Sequence, residues 1–319
     1  MILSIPENWT SAKSQHTAFV AELIEKHFNG NGPATKSKYI SEFLKLTQSQ
    51  ILSDKISDIN TSINTLFTFK IRLTPRQYRL LINDLRKIFN YENFCKKHPT
   101  KWNAYKLCDH SRCRTCPYCN HSYAMTVYQD AEGAFRPTLD HFYPKTHYPH
   151  LALSLANLIP SCYPCNSSLK GDVDFFLHRH LHPLFDQENL KFQCAIPQRK
   201  ITSVVGNVEK IQKHLEIRIM PIKKCEATAN SIKRFALMER YQMLAFEAAS
   251  FVNAQLTADA LIDNLAAVKT RTRKNQTAIN LSSASIRSHL TRFEPSDYHR
   301  YLLGKLYADL HSQFKRRLT

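Results

Sequence analysis

The chain has 319 residues, 43% of them hydrophobic and only 6 of them glycine, which excludes a largely disordered protein and favours long helices around a proper core. Lysine and arginine number 44 against 26 acids, a formal charge of +18. That balance suits a polyanionic partner, because neutralising phosphates releases counterions, and no run approaches the ~18 apolar residues that would cross a membrane.

Taken in order, the chain divides into four regions: helical over 1–95, a cysteine-bearing centre with a basic lead-in over 96–186, short strands over 187–225, and helices with a basic tail over 226–319. Ser11 to Phe28 places Phe19, Val20, Leu23, Ile24 and Phe28 on one helical face, and GNGPAT (30–35) ends it. A second periodic segment starts near Tyr39. In LTPRQYRLLINDLRKIFNY (73–91), Thr74 reads as an N-cap with Pro75 in the first turn. Residues 92–115 are basic and irregular, with Trp102 and Tyr105 between the cations, a pattern that fits either a backbone-tracking groove or a solvated connector.

After Cys119, SYAMTVYQ (122–129) and FRPTLDHF read as a hairpin around DAEG (130–133), with Asp140 and His141 on its second strand. A short helix is expected after Asn166, giving a β-β-α order. In FFLHRHLHPLFD (175–186), His178, His180 and His182 alternate and would share one face of an extended segment. Strands are expected over 191–196, 200–205 and 215–220. From about 226 the chain is helical, with a basic knot around Lys269, Arg271, Arg273 and Lys274.

The nine cysteines are an odd number, and MILSIPENWT has neither a basic n-region nor a long apolar core. A reducing cytoplasm is therefore expected, where paired C-x-x-C reads as metal binding rather than as disulfide. Cys116-Cys119 and Cys162-Cys165 form two such pairs, and four thiolates make a closed structural zinc site. Cys113-Cys116 is a rival first pair and Cys108 with His110 a further one; Pro117-Tyr118 between the cysteines favours the tight turn of Cys116-Cys119. Cys95, Cys194 and Cys225 read as ordinary thiols.

Between the two pairs lies Asp140-His141, and Asn166 follows the last cysteine. A carboxylate and an amide oxygen are hard ligands for Mg²⁺ or Mn²⁺, and a neutral imidazole can take a proton from water. Alone, an Asp-His pair is more often a turn residue and a core histidine. His147 and His150, like the three alternating histidines, read first as surface or packing residues.

The pattern CPYC…LDHF…N…CYPCN…KGD resembles the HNH (ββα-metal) endonuclease superfamily, in its zinc-containing branch, which includes phage Holliday-junction resolvases. The longer string DHFYPK…NLIPSCYPCNSSLKGD also resembles HNH effectors of bacterial anti-phage systems, Septu and retron-associated ones among them. The likeness covers about residues 113–186. It implies a mainly α, α+β protein with a central zinc-stabilised ββα-metal unit. It implies that His141 is the general base, that Asp140 and Asn166 hold a catalytic Mg²⁺ or Mn²⁺, and that Asn157 ties the loop orienting the histidine. Lys170 and Lys145, with Arg271 and Arg273, are the candidate contacts to nucleic acid. The expected activity is phosphodiester hydrolysis in DNA, with RNA a further possible substrate, under the control of a partner such as an ATPase or a retron-type complex. The competing expectation is a zinc-stabilised nucleic-acid-binding module without catalysis.

Overall fold

The computed structural model describes residues 2–128, 134–196, 206–271 and 282–315, and of residues 265–271 and 315 the backbone alone. The chain divides into two units, Leu3–Gln187 and Glu188–Thr319.

The first unit opens with four helices, α1 (Lys13–Phe28), α2 (Ile40–Ile51), α3 (Ile56–Arg72) and α4 (Pro75–Ile88). Their apolar faces meet at Phe43, Leu44, Ile63, Phe69, Leu81 and Leu85, all essentially buried. Each such side chain contributes about 1.5–3 kcal/mol by leaving water. Thr74 caps α4 in a reciprocal capping box with Gln77, and Pro75 sits at the first position. Asp84 of α4 is buried and accepts the N–H groups of Lys36 and Ser37, each at 2.7 Å, so the loop after α1 is tied by a carboxylate. Two short helices follow, α5 (Tyr91–Phe94) and α6 (Ala104–Asp109). Trp102 in the basic lead-in is half-buried and donates its indole N–H to His16 Nδ1 at 3.0 Å, so this residue packs on α1.

Two strands, β1 (Thr138–His141) and β2 (Leu158–Ser161), pair antiparallel with Asp140 opposite Ile159 and His141 opposite Leu158. A π-helical segment, Pro164–Lys170, follows at once. The hairpin expected over 122–142 is seen in part, while its second arm continues into β1, which pairs with β2. Among the described residues its arms meet at one bridge, Val127 to Phe135, and its expected turn, 130–133, lies outside them. Tyr123, Met125 and Val127 alternate as a strand would, yet all three are exposed, so no core rewards that pairing. Leu139, Leu158 and Ile159 are buried, and burial selects the β1–β2 pair instead. Asn166 lies within the helical segment rather than before it. Gly171 ends the segment at φ +53, a conformation that favours glycine, and returns its N–H to Asn166 O at 2.9 Å.

In the second unit, β3 (Leu190–Ala195) and β4 (Glu216–Pro221) are antiparallel, with Phe192 opposite Ile219. Helices α7 (Val208–His214), α8 (Glu226–Arg234), α9 (Leu237–Gln242), α10 (Ala245–Arg271), α11 (Ser283–Thr291) and α12 (Gly304–Lys315) make up most of the rest. Leu190, Phe192 and Cys194 bury alternate positions of β3, as period-2 patterning requires. Asp309 and Gln313 of α12 accept the N–H groups of Phe192 and Cys194, both at 2.9 Å, which satisfies the edge that β4 does not pair. The strand expected at 200–205 lies outside the described residues. Among the described residues no helix is long and apolar enough to cross a membrane.

Candidate functional site: a four-thiol cluster beside a polar cavity

Cys116, Cys119, Cys162 and Cys165 converge in the first unit, all buried, with their sulfurs within 4.8 Å of one another. The two pairs fold alike. The N–H of Asn120 returns to Cys116 O at 2.7 Å, and that of Asn166 returns to Cys162 O at 3.1 Å. Asn120 adopts φ +53, a left-handed position that asparagine tolerates, and its amide donates to Thr115 Oγ1 at 2.9 Å. A tetrahedral ion with Zn–S near 2.3 Å needs sulfurs about 3.8 Å apart, and Cys119 and Cys162 are separated by 3.8 Å. Burial pushes the Cys116 thiol well above its ordinary value, while hydrogen bonds from the other thiols hold Cys162 well below. Four buried sulfurs gathered this closely are a donor set that fits zinc, which would take them as thiolates. Cys113 stands apart, its thiol donating to Thr115 O at 2.8 Å.

Against this cluster lies a cavity of about 400 Å³, whose walls include Asp140, His141, Asn166, Lys170, Lys145 and Arg136. Asp140 is buried. Its Oδ2 accepts the Tyr118 hydroxyl at 2.6 Å, and its Oδ1 lies 3.1 Å from the Lys170 ammonium. Burial and the adjacent carboxylate hold Tyr118 well above the ordinary phenol range, so it remains a donor. Lys170 is equally buried, donates to His141 O at 2.7 Å and lies over the Phe175 ring at 5.0 Å. Lys170, a candidate phosphate contact, is ion-paired with Asp140 in this structure.

His141 is buried, with Nε2 2.9 Å from Ala152 O. Facing a carbonyl, Nε2 carries the proton, and Nδ1 keeps its lone pair with no partner among the described residues. Burial holds the imidazole down to about 3, so it is neutral near pH 7. The Tyr91 ring meets it edge-on at 4.4 Å, and the Tyr91 hydroxyl donates to Leu139 O at 3.1 Å. Asn157 is fully buried away from the cavity wall. Its amide donates to Tyr143 O and Leu151 O, and its oxygen accepts Tyr143 N at 2.7 Å, tying the end of β1 to the loop that supplies Ala152.

For a divalent ion the wall offers Asp140 and the Asn166 amide. Each carboxylate oxygen has two lone pairs, so the bonds from Tyr118 and Lys170 leave acceptor capacity. One carboxylate with one amide fits a hard ion that keeps its remaining positions for water and phosphate. No other group of three or more His, Cys, Asp or Glu ligands is gathered among the described residues.

The remaining candidates separate. Lys145 lines the cavity and pairs with Glu92 at 2.5 Å. Arg273 lies outside the described residues, and the Arg271 side chain is not among those described. The alternating histidines do not share a face. The segment is a series of turns in which His178 is exposed, while His180 stacks on Phe175 at 3.7 Å and His182 lies against Phe142 at 3.9 Å. His150 is buried, with Nε2 3.1 Å from Ser62 Oγ. Tyr118, Tyr91 and Arg136 were not singled out by sequence. Tyr118 was within reach, as the residue inside the first C-x-x-C; Arg136 and Tyr91 carry no local signal.

The chain is similar to protein ea31 of Escherichia phage lambda, 27% identical over 159 residues, which cover 43% of this chain and 52% of that one. The chain thus spans about half the length of the curated relative it matches. No family model matches the sequence, and no solved structure matches it.

Proposed function

We propose that the protein is a metal-dependent endonuclease of the HNH type that hydrolyses phosphodiester bonds in DNA. The observation that carries this reading is the meeting of Asp140, His141 and Asn166 on one cavity, built from β1 and the helical segment that leaves the four-thiol cluster. Zinc held by Cys116, Cys119, Cys162 and Cys165 would fix that framework, which is too small to hold its own geometry. Asp140 and Asn166 would hold Mg²⁺ or Mn²⁺, which when bound supplies neutralisation of charge developing on the phosphate. His141 takes the proton of the attacking water at Nδ1, with the Ala152 carbonyl fixing its tautomer and Tyr91 its ring plane. Asn157 keeps the supporting loop in place without entering the cavity. The formal charge of +18 suits a nucleic-acid substrate.

The sequence resemblance extends the proposal to an effector role in anti-phage defence, gated by a protein partner. The resemblance alone supports that extension, and co-purification with the product of a neighbouring gene tests it. The pairing of Asp140 with Lys170 favours a second reading, a zinc-stabilised nucleic-acid-binding module in which the ammonium permanently replaces the divalent ion. Plasmid nicking with Mg²⁺ and with Mn²⁺, wild type against His141→Ala, separates the two. The nuclease reading expects nicking that His141→Ala abolishes; a wild type inert with either metal and with its partner present leaves only the binding module.

A further inference from the structure

Three cations line the cavity, and two of them are already paired. Lys170 faces Asp140 and Lys145 faces Glu92. Arg136 differs. Among the described residues no carboxylate lies within ion-pairing distance of its guanidinium. Its Nη1 donates to the neighbouring Pro137 carbonyl at 2.9 Å, the group lies over the Tyr105 ring at 5.2 Å, and its Nε is buried with no acceptor. The Cys108 thiol is hydrogen-bonded to the guanidinium and Cys95 is close by; burial pushes Cys108 up to about 12, so that thiol brings no negative charge at neutral pH.

Arg136 is half-buried, and among the described residues rings and thiols rather than a carboxylate surround it, so it has charge to offer an anion. Guanidinium is suited to one class above others, since its planar fork of donors matches two oxygens of a phosphate. The Tyr105 ring, the bond to Pro137 O and the bond to the Cys108 thiol hold the group in place and leave other N–H groups for a ligand. Arg136 is two residues before β1, the strand that carries Asp140 and His141, so its position is tied to theirs.

We propose that Arg136 binds a non-bridging oxygen of the phosphodiester that enters this cavity. The proposal rests on the nuclease reading for the identity of the ligand, but phosphate binding at Arg136 is measurable without cleavage. Arg136 would then hold the substrate phosphate beside Asp140 and His141, and lysine could not replace it, because an ammonium lacks the two-pronged fork.

The test uses the full chain without added divalent metal. Arginine modification by phenylglyoxal is followed by mass spectrometry, with inorganic phosphate or with a DNA duplex lacking terminal phosphates as the protecting probe. Both probes are expected to slow modification of Arg136 and to leave Arg287, which pairs with Asp259 in the second unit, unaffected by phosphate. Protection by phosphate alone would assign a site for free phosphate and overturn a diester contact. Arg136→Gln is expected to lower the slope of log affinity for DNA against log salt by about one, whereas Arg136→Lys, which keeps the charge, should keep the slope and lose affinity through the missing fork. An unchanged slope in Arg136→Gln, wild-type affinity in Arg136→Lys, or equal modification with and without probes, overturns the proposal. Asp130 and Glu132 lie outside the described residues, and Asp130→Asn with Glu132→Gln is the control. If that double variant raises the reactivity of Arg136 in the absence of any probe, its partner is internal and the proposal falls. Protection by both probes in a protein that never cleaves keeps the anion site and removes the nuclease reading. Cleavage by Arg136→Gln at the wild-type rate, without protection in the wild type, does the reverse.

Discussion

The four-thiol cluster and the cavity beside it are built from the same short stretch of chain, yet they are opposite kinds of site. In the cluster every donor is buried and turned toward the other three, so an ion placed there has no position left for water. In the cavity the donors are few, the volume is about 400 Å³, and the carboxylate is held by neutral and cationic groups of the protein itself. A closed set holds a fold; an open set leaves room for a ligand. The two are mechanically joined. Tyr118, between two of the cluster cysteines, bonds Asp140, and Asn166 follows the cluster cysteine Cys165 directly.

If the cluster is structural, breaking it should have the largest effect of any single change. Cys162→Ser is expected to release zinc, found near one per chain in the wild type by elemental analysis, and to unfold the first unit. Zinc binding of this kind supplies roughly 10 kcal/mol or more, comparable with the whole stability of a domain. A variant that melts within a few degrees of wild type would show that the cluster is not a metal site. His141→Ala probes the other side of the comparison. It should keep its zinc and its fold while plasmid nicking falls by about two orders of magnitude or more, the usual loss for a general base. Nicking at an unchanged rate would remove His141 from the chemistry.

How much of this was legible follows from how local each cause is. The cysteine pairs, the cap at Thr74 and the periodicity of α1 and α4 are short-range patterns, and the structure places the cysteines together and the helices within a residue or two of expectation. The pairing of β1 was not legible. The residues 122–129 alternate correctly, but alternation does not reveal whether a core exists to receive the apolar face. His180 and His182 show the same limit, since period-2 spacing predicts a common face only if the segment is extended, and this one turns. The Asp140–Lys170 pair and the seat of Arg136 over Tyr105 depend on contacts distant in sequence, which no spacing encodes.

The histidines outside the cavity set a pH dependence of intermediate size. Burial holds His16 down to about 4 and His150 down to about 3, against 6.5 when unfolded. The unfolded chain therefore binds protons that the fold refuses. Stability from these groups is complete above about pH 6.5 and is lost as pH falls through 4 toward 3, by about 1 kcal/mol per pH unit for each group. Thermal melts from pH 7.5 to 4.5 should show the first unit weakening with acid. His150→Gln, which cannot take up a proton, should flatten part of that slope; an identical slope would mean His150 is not held neutral by the fold.

The smallest predicted effect tests the joint itself. Tyr118→Phe removes one hydroxyl and keeps the ring that fills the space between the cysteines. If Tyr118 only packs the cluster, the variant should behave as wild type. If its 2.6 Å bond positions Asp140, one acceptor site on the carboxylate is released, and a hydrogen bond to a charged group contributes about 1.5–3 kcal/mol. Zinc should stay near one per chain and the melt should move little, while nicking falls by about tenfold and the Mg²⁺ concentration needed for half activity shifts. Loss of zinc in Tyr118→Phe would make the tyrosine part of the cluster's own structure. Unchanged nicking and an unchanged Mg²⁺ requirement would show that cluster and cavity are neighbours without being coupled through this bond.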